Sequence, residues 1–323
     1  MDALDVLARW PVSAVSAAVV ELPVGTAAPE TATDGQTVCE VPAVVTATWG
    51  EVDRVYPWAS ITKICTALAV LVGVEEKTLA LDMPAGPPGA TVGHLMAHAS
   101  GLPFLGREPL APPGRRRIYS NSGFEILGEL LEERSGLSFH QYLGEAVLGQ
   151  LGMSGVTLSS QRFAAAGISG SVRDLAALAK ELLAPTLISR ATLDQAVRVA
   201  FPGLAGMLPG FGHQDPCDWG LGFEIRDAKH PHWTGSANSP RTFGHFGQAG
   251  GFLWVDPAAG IALAVLSDTP FGPWAATAWP RLADAVLGEA AARSAEAGAG
   301  GTFRDVRRNV ADTIGNSYDG PSD

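Results

Sequence analysis

The sequence Ser60-Ile61-Thr62-Lys63 places a hydroxyl and an amine three residues apart, directly before the apolar run 64–71. That run predicts a helix, in which positions i and i+3 share one face, so the Ser60 hydroxyl and the Lys63 amine can meet. A serine hydroxyl is a weak nucleophile until a neighbouring base takes its proton, and N–H groups at a helix N-terminus can stabilise an oxyanion. The pair therefore predicts an acyl-transfer site with Ser60 as nucleophile.

Two further segments carry side chains that fit the same chemistry. Tyr119-Ser120-Asn121 follows a Pro-Pro-Gly turn, and His245-Phe246-Gly247 lies in the glycine-rich stretch 243–251. An S-x-x-K pair alone is a weak signal, because Ser and Lys are common on surface helices and Ser is also a frequent N-cap residue. The order and separation of all three segments argue against chance.

These motifs resemble those of the serine β-lactamase and penicillin-binding-protein-like superfamily. Class A members combine S-x-x-K with S-D-N and K-T-G, whereas Y-x-N in the second place resembles the branch shared by class C β-lactamases, D-aminopeptidases and family VIII esterases. The likeness runs from about residue 56 to about residue 268. It includes residues 94–103, similar to the family stretch L-x-x-H-x-S-G-L-P, and residues 170–176, similar to its S-T-x-x-D-L-A helix start.

The resemblance implies roles for the second motif. Tyr119 would relay protons between the nucleophile and the leaving group, and Asn121 would hold the lysine and the substrate. The base that activates Ser60 stays open between two groups. Burial can lower the pKa of Lys63 by the roughly three units that a neutral amine needs at pH 7. If Lys63 instead stays charged, its charge lowers the pKa of Tyr119 and makes the phenolate the base.

The third motif departs from K-T-G at two positions. His245 stands where the esterase-like branch often has histidine, and the resemblance implies that it contacts the substrate. The Gln248 backbone N–H would be the second oxyanion donor beside that of Ser60, and Gly247 would keep the strand edge free of a side chain. Phe246 has no hydroxyl to hold a substrate carboxylate, which disfavours β-lactam or D-Ala-D-Ala substrates and favours an uncharged ester.

Two other kinds of site are weaker interpretations. His94 and His98 have the spacing of H-E-x-x-H, but Leu95 replaces the glutamate, and His230-Pro231-His232 offers only another histidine pair. The glycine-rich stretch 243–251 is followed by no Lys-Ser/Thr pair of the phosphate-binding kind. We therefore expect no metal and no cofactor, and a structural role for His98.

Composition limits the partners and the location. The formal net charge of -11 argues against nucleic acid or an anionic membrane surface as a partner. Met1-Asp2-Ala3-Leu4-Asp5 is acidic where a signal peptide starts basic, and the longest apolar run, 64–74, is too short to span a bilayer. The three cysteines form no C-x-x-C pair. These features predict a cytoplasmic protein. The small-molecule ester or amide substrate is implied by the motifs and the resemblance.

The elements that must position these residues can be predicted from periodicity and turn signals. Strands are predicted at residues 15–21, 41–49, 222–226, 251–256 and 261–267, with a hairpin turn at 257–260 joining the last two. Helices are predicted after the capping boxes Ser122–Glu125 and Ser171–Asp174, and Gly136 should close the first of them.

Strands at both chain ends with helices between them predict an α+β fold. The resemblance implies a β-lactamase-like antiparallel sheet flanked by helices, an inserted all-helical lobe and an active site in the cleft. We expect one catalytic domain at 1–292, with the α/β lobe from about 1–75 and 218–292 and the helical lobe at about 76–217. A closing helix at 274–292 should be followed by a flexible tail, 293–323, which contains the glycine-rich spacer 298–301.

The sequence thus predicts a metal-free serine hydrolase that forms an acyl-enzyme at Ser60, most readily from small carboxylic esters. The second choice within the enzyme class is a β-lactam or a D-amino-acid amide or peptide. An alternative of another class is an inactive protein that binds ligands in the same cleft. The presence of Ser60, Lys63, Tyr119 and His245 together argues against that alternative.

Overall fold

A computed structural model of the chain describes residues 1–23, 41–159 and 163–314, without the side chains of Phe163 and of residues 297–314. Cys39 and the last part of the predicted tail, 315–323, lie outside the described residues.

The main feature of the fold is a six-stranded antiparallel sheet. Within the described residues the strands are β1 (Val15–Glu21), β2 (Val44–Trp49), β3 (Tyr56–Pro57), β4 (Thr157–Leu158), β5 (Ile168–Gly170), β6 (Gly206–Leu208), β7 (Gly212–Gln214), β8 (Glu224–Ile225), β9 (Phe243–Gly247), β10 (Gly251–Asp256) and β11 (Ile261–Ser267). The large sheet has the order β2-β1-β11-β10-β9-β8, and smaller sheets have the orders β3-β5-β4 and β6-β7.

The strands predicted at 15–21, 251–256 and 261–267 are confirmed at the same bounds, including the hairpin turn at 257–260. The strand predicted at 41–49 begins later, at Val44. The strand predicted at 222–226 is reduced to Glu224–Ile225. Gly222 has φ +92°, a left-handed conformation that interrupts extended backbone.

Both faces of the sheet are buried, which explains why its central strands read as continuous apolar runs. In β1, Ala18 and Val20 face the core that contains α1, whereas Ala17 and Val19 face a second core under the C-terminal helix. Successive side chains of a strand point to opposite faces, so one apolar run supplies both cores. The sheet is therefore the central layer of three.

The helices are α1 (Thr62–Glu75), α2 (Val92–Met96), α3 (Asn121–Ser135), α4 (Phe139–Leu143), α5 (Phe163–Ala166), α6 (Val172–Leu183), α7 (Arg190–Ala196) and α8 (Pro273–Ile314). Short 3₁₀ helices span Asp2–Arg9 and Ala59–Ile61, and a π-helical turn spans Gly144–Leu148. No helix within the described part of the chain is both long and apolar enough to cross a membrane.

The helices come mostly from the middle of the chain, and the division into an α/β lobe and a helical lobe stays a prediction. However, α6 falls in the range assigned to that lobe and yet packs against β1 and β11 of the large sheet. The N-terminal 3₁₀ helix packs against α8. This last helix continues past the predicted end at 292 to Ile314, so the predicted spacer 298–301 is helical. The flexibility of the tail stays a prediction.

One predicted cap is wrong and two helix-end signals are confirmed. The N-cap of α3 is Ser120 rather than Ser122, because Ser120 has an extended backbone and its side chain accepts the Gly123 N–H at 3.0 Å. Gly136 closes α3 with φ +73°. The capping box of Ser171 and Asp174 opens α6. Because α3 starts two residues earlier than predicted, Asn121 is its first residue.

Candidate active site

The predicted nucleophile lies in a tight turn at the start of α1. Ser60 is the middle residue of the 3₁₀ turn Ala59–Ile61, in which the Trp58 carbonyl accepts the Ile61 N–H at 3.2 Å. Ala59 has φ +47°, a left-handed conformation that a residue with a Cβ adopts only at a cost of about 1–3 kcal/mol. This sharp turn places Ser60 at the N-terminus of α1, as the sequence predicts.

Gly247 is needed for a reason beyond the predicted one. A Cβ at Gly247 would lie 2.2 Å from the Trp58 carbonyl oxygen and 3.4 Å from Ala59 Cβ. The absence of a side chain therefore lets the end of β9 close against the turn that carries Ser60. This contact between two protein segments is a requirement that the sequence analysis did not foresee, and the predicted clearance for substrate stays a prediction.

Lys63 is fully buried beside Ser60, and its amine has three polar neighbours. Its Nζ lies 3.3 Å from Ser60 Oγ, 2.7 Å from Asn121 Oδ1 and 2.9 Å from the Ala165 carbonyl oxygen. Asn121 Oδ1 and the carbonyl can only accept, so Lys63 donates one N–H to each. A neutral amine has two N–H groups and one lone pair. In the charged form the third N–H donates to Ser60 Oγ, and in the neutral form the lone pair in its place can accept the Ser60 hydroxyl proton.

The Ala165 carbonyl had no sequence signal, because a backbone acceptor can come from any residue type. The structure shows how it is held in place. The Thr66 hydroxyl donates to the Ala164 carbonyl at 2.6 Å, and Glu125 accepts the Ala165 N–H at 3.1 Å. Glu125 was predicted to cap α3, and it instead fixes the backbone that contacts Lys63.

Electrostatics favour Lys63 over Tyr119 as the base. Burial lowers the pKa of Lys63 to about 7, with Glu125 opposing the shift. Burial by the surrounding protein raises the pKa of Tyr119 above its usual value, although a hydrogen bond with Ser60 works against this. One contact opposes the lowered pKa of Lys63: its amine lies 4.9 Å from the centroid of the Tyr119 ring, and this cation–π contact favours the charged amine. Near neutral pH, a neutral Lys63 is thus accessible and a phenolate is not.

His245 is held as one neutral tautomer facing Tyr119. Its Nδ1 lies 2.7 Å from the Phe246 carbonyl oxygen, which can only accept, so Nδ1 carries the proton. Its Nε2 lies 3.3 Å from the Tyr119 hydroxyl and can accept from it. Burial, together with the Lys63 charge, lowers the pKa of His245 to about 3. At neutral pH the site therefore has a proton acceptor where K-T-G members carry a cation.

His98 and His94, the predicted alternative metal pair, have separate packing roles. His98 is buried, and its Nδ1 accepts the Ser120 N–H at 3.1 Å, while its ring lies 4.5 Å from the Tyr119 ring. His94 stacks on Phe201 at 4.2 Å. His98 thus positions the Tyr119-Ser120-Asn121 segment, which fits the structural role expected for it.

Phe246 has a second role that its motif position did not reveal. Its ring packs in the core beneath α8, 5.0 Å from Phe271 and 5.8 Å from Trp279, and it also lines the cleft. His245 and Phe246 are consecutive on β9, so they point to opposite faces of the sheet. A small residue at 246 would take the aromatic ring out of the cleft wall and would also open a cavity in this aromatic core.

Glu224 is a buried carboxylate of the cleft that the sequence analysis missed. It forms an ion pair with Lys229, and its Oε2 lies 2.8 Å from His232 Nε2 and 2.9 Å from Trp233 Nε1. The Thr234 N–H donates to His232 Nδ1, so the ring carries its proton on Nε2 and donates it to Glu224. The carboxylate thereby holds the loop after β8 against the edge of the sheet. In the sequence, the only indication that Glu224 is buried is its position in the predicted strand 222–226, where alternate side chains face the core.

We expect Glu224→Gln to destabilise the fold by about 3 kcal/mol at pH 7, because it leaves Lys229 buried without its counter-ion. Interactions with His232 and Lys229 outweigh burial and lower the pKa of Glu224 from 4.5 to about 2. This depressed pKa contributes stability that is present above pH 4.5 and is lost as the pH falls toward 2.

Urea denaturation of wild type, Glu224→Gln and the exposed control Glu133→Gln measures this effect. The control should change the free energy of unfolding by less than about 0.5 kcal/mol. A Glu224→Gln protein within 1 kcal/mol of wild type would contradict the role of this ion pair.

Most of the predicted site residues open into a cleft of about 750 Å³. Ser60, Tyr119, His245 and Gln248 all line it, as the sequence predicts. The rest of the wall is mainly apolar: Phe104, Leu110, Ile118, Ala205, Met207, Leu208, Pro209, Trp219 and Phe246. An apolar cleft with a few convergent polar groups is the usual form of a small-molecule site. Whether the Ser60 and Gln248 N–H groups act as oxyanion donors stays a prediction.

The sequence profile of the Beta-lactamase family matches residues 32–287. The chain belongs to the Beta-lactamase family. This match confirms the resemblance to the serine β-lactamase and penicillin-binding-protein-like superfamily, and the structure confirms the predicted β-lactamase-like α+β fold. The narrower likeness to the class C branch stays a prediction.

Several proteins are similar to this member of the family. A crystal structure of a beta-lactamase from Mycobacterium bovis is 49% identical, with a TM-score of 0.82 over 89% of this chain and 99% of that one. A "putative D-alanyl-D-alanine carboxypeptidase" of Escherichia coli (strain K12) is 24% identical over 59% of this chain, which matches 54% of that protein's length. A hydrolase with promiscuous acyltransferase activity shares the fold, at 16% identity and a TM-score of 0.66 over 88% of this chain and 96% of that one.

Proposed function

We propose that this protein is a serine hydrolase that forms an acyl-enzyme through Ser60 and acts preferentially on small carboxylic esters. The observation that carries the proposal is the Lys63 amine, 3.3 Å from Ser60 Oγ, buried and with its pKa lowered to about 7. Membership of the Beta-lactamase family supports the hydrolase class.

Acylation begins with proton transfer from Ser60 Oγ to the lone pair of Lys63 Nζ. As Oγ attacks the ester carbonyl, the carbonyl oxygen becomes an oxyanion, which the Ser60 and Gln248 N–H groups would stabilise. Lys63 keeps its donors on Asn121 and Ala165 while it gains the proton. The rigid hold on the amine means that little reorganisation accompanies the transfer.

The leaving oxygen must then receive a proton as its bond to the carbonyl carbon breaks. Tyr119 lies between the two ends of this transfer: it is hydrogen-bonded to Ser60, and its hydroxyl lies 3.3 Å from His245 Nε2. It passes a proton to the departing alkoxide, and the proton that Lys63 took from Ser60 then returns to Tyr119, which leaves the Lys63 amine neutral and Ser60 acylated. In deacylation water takes the place of the alcohol: it gives up a proton along the reverse route, attacks the acyl carbonyl and releases the acid and free Ser60.

Preference for esters follows from the two replacements in the third motif. A neutral His245 supplies no positive charge for a substrate carboxylate, and Phe246 supplies no hydroxyl. A hydrogen bond to a charged group contributes about 1.5–3 kcal/mol, or about tenfold to a hundredfold in affinity. An uncharged ester loses nothing from these replacements, whereas a β-lactam loses contacts to its carboxylate.

We therefore expect kcat/KM for short-chain p-nitrophenyl esters to exceed that for nitrocefin. The Phe246→Thr variant should raise kcat/KM for nitrocefin about tenfold relative to Phe246→Val. These two variants open the same cavity in the aromatic core and differ in the hydroxyl, so their comparison separates the lost packing from the gained hydrogen bond.

β-Lactam or D-amino-acid amide hydrolysis is the second candidate function. The 49% identical structure is described as a beta-lactamase, and exposed Arg116 lines the cleft as a cation. Faster turnover of nitrocefin than of any ester would favour this candidate. Equal nitrocefin activity in Phe246→Thr and Phe246→Val would overturn the role given to the missing hydroxyl.

The pH dependence of kcat/KM should report Lys63. For a neutral ester, we expect kcat/KM to rise about tenfold per pH unit up to a midpoint near pH 7 and then to level off, because the reactive form is the neutral amine. Near neutral pH His245 is neutral and Tyr119 stays protonated, so neither residue adds a second rise or fall to the pH profile of kcat/KM. A profile that is flat from pH 5 to 9 would contradict Lys63 as base.

A further inference from the structure

The outer part of the cleft has a mouth of exposed apolar side chains. Phe104, Leu110 and Met207 all line the cleft and yet are 50%, 61% and 60% exposed. They are three of the eight large hydrophobic side chains that are exposed among the described residues. Exposed apolar groups gathered at one opening are typical of a ligand-binding surface. We call these three residues the apolar mouth.

Two separate segments form the apolar mouth, and Arg117 ties them together. Phe104 and Leu110 lie on the loop that precedes Tyr119, and Met207 lies on the β6–β7 hairpin. The Arg117 N–H donates to the Ala205 carbonyl at 2.9 Å, which joins the loop to the hairpin.

The buried guanidinium of Arg117 fixes this wall further. It donates to four carbonyl oxygens, those of Ala97, Ala200, Phe201 and Cys217. These contacts hold the end of the loop beside the hairpin, which lowers the cost of ordering this wall when a ligand binds.

The position of Tyr119 indicates which half of the substrate reaches this mouth. The Phe104 ring stacks on the Tyr119 ring at 6.1 Å, and the Phe104 carbonyl accepts the Asn121 N–H at 3.0 Å. A leaving oxygen that takes a proton from Tyr119 must lie about 3 Å from its hydroxyl. Phe104 is the mouth residue beside that position, and Leu110 and Met207 line the same cleft, so the cleft offers the group attached to that oxygen a path along these side chains.

We propose that the apolar mouth binds the alcohol half of the substrate, so that among small carboxylic esters those with a longer apolar alcohol are preferred. This inference rests on the proposed serine esterase function. The cleft of about 750 Å³ is far larger than a methyl or ethyl group requires, and its size is typical of sites for drug-sized ligands. The acid half, bound at the carbonyl beside Ser60 and Gln248, can remain small.

The test compares two ester series by kcat/KM. In the alcohol series, ethyl, butyl and hexyl acetate, each methylene that leaves water contributes up to about fourfold. We expect at least a tenfold rise from ethyl to hexyl acetate in wild type. In the Leu110→Ser/Met207→Ser double variant this hexyl-to-ethyl ratio should fall to about threefold or less. In the acyl series, p-nitrophenyl acetate to hexanoate, the corresponding ratio should be the same in both proteins.

Val55→Ser is the matched control, because Val55 is 54% exposed and does not line the cleft. It should retain the wild-type ratios. A wild-type protein without a rise along the alcohol series, or a double variant that keeps it, would overturn the inference. So would a loss confined to the acyl series. Failure of the proposed function looks different: no ester would be hydrolysed and a fluorophosphonate would leave Ser60 unmodified.

Discussion

Replacing Ser60 by alanine should abolish ester hydrolysis, lowering kcat/KM by at least about a thousandfold. In the proposed mechanism Ser60 Oγ forms the acyl-enzyme, and without this oxygen the Lys63 amine has no nucleophile beside it to activate. The fold should be intact, because the turn at Ala59–Ile61 is closed by backbone hydrogen bonds and the Ser60 side chain caps no helix. Steady-state kinetics and thermal unfolding of wild type and variant measure the two effects.

Ser120→Ala provides a matched serine-to-alanine control. This change removes the N-cap of α3 and should cost about 1 kcal/mol of stability, without removing any group that reacts. A Ser60→Ala protein that keeps more than a few per cent of wild-type activity would disprove the nucleophile assignment.

The second large effect is expected at Lys63 and Tyr119, which should act as one proton-transfer unit. Lys63→Met and Tyr119→Phe should each lower kcat by about a hundredfold to ten-thousandfold. The double variant should lose little more than the worse single variant, because each residue needs the other to move the proton between Ser60 and the leaving group. Fully additive losses in the double-mutant cycle would show that the two residues act separately.

The thermal stability of Lys63→Met distinguishes a loss of catalysis from misfolding of this variant. The pKa of Lys63 is lowered from 10.5 to about 7, so the unfolded chain binds more protons between these pH values. At pH 7 burial of this lysine therefore costs up to about 4 kcal/mol, and the cost vanishes above pH 10.5. Lys63→Met removes that cost, and its melting temperature at pH 7 should be no lower than that of wild type.

Much of this fold is visible in the sequence where local and global signals agree. The runs at 15–21, 251–256 and 261–267 are apolar because both faces of the sheet are buried, so their bounds could be predicted. The bounds of β8 could not, because Gly222 has a left-handed conformation and lies so close to α1 that a Cβ there would be 2.2 Å from Ala67 Cβ. Such a contact between distant segments has no local signature.

The site divides in the same way. Ser60, Lys63, Tyr119 and His245 could be named because their chemistry requires particular side chains at particular spacings. The Ala165 carbonyl and the packing of Phe246 under α8 depend on tertiary structure, and the base could not be chosen before the burial of Lys63 was known. Gly247 was identified correctly as a required glycine, but its contact with the Trp58 carbonyl was not foreseeable.

The most direct test of the central claim is the mass of the protein after reaction with a fluorophosphonate, followed by peptide mapping. The account predicts one adduct per chain, located on Ser60, with no adduct on the Ser60→Ala protein. Stoichiometric labelling of Ser60→Ala, or an adduct on another residue of an active wild-type enzyme, would contradict it.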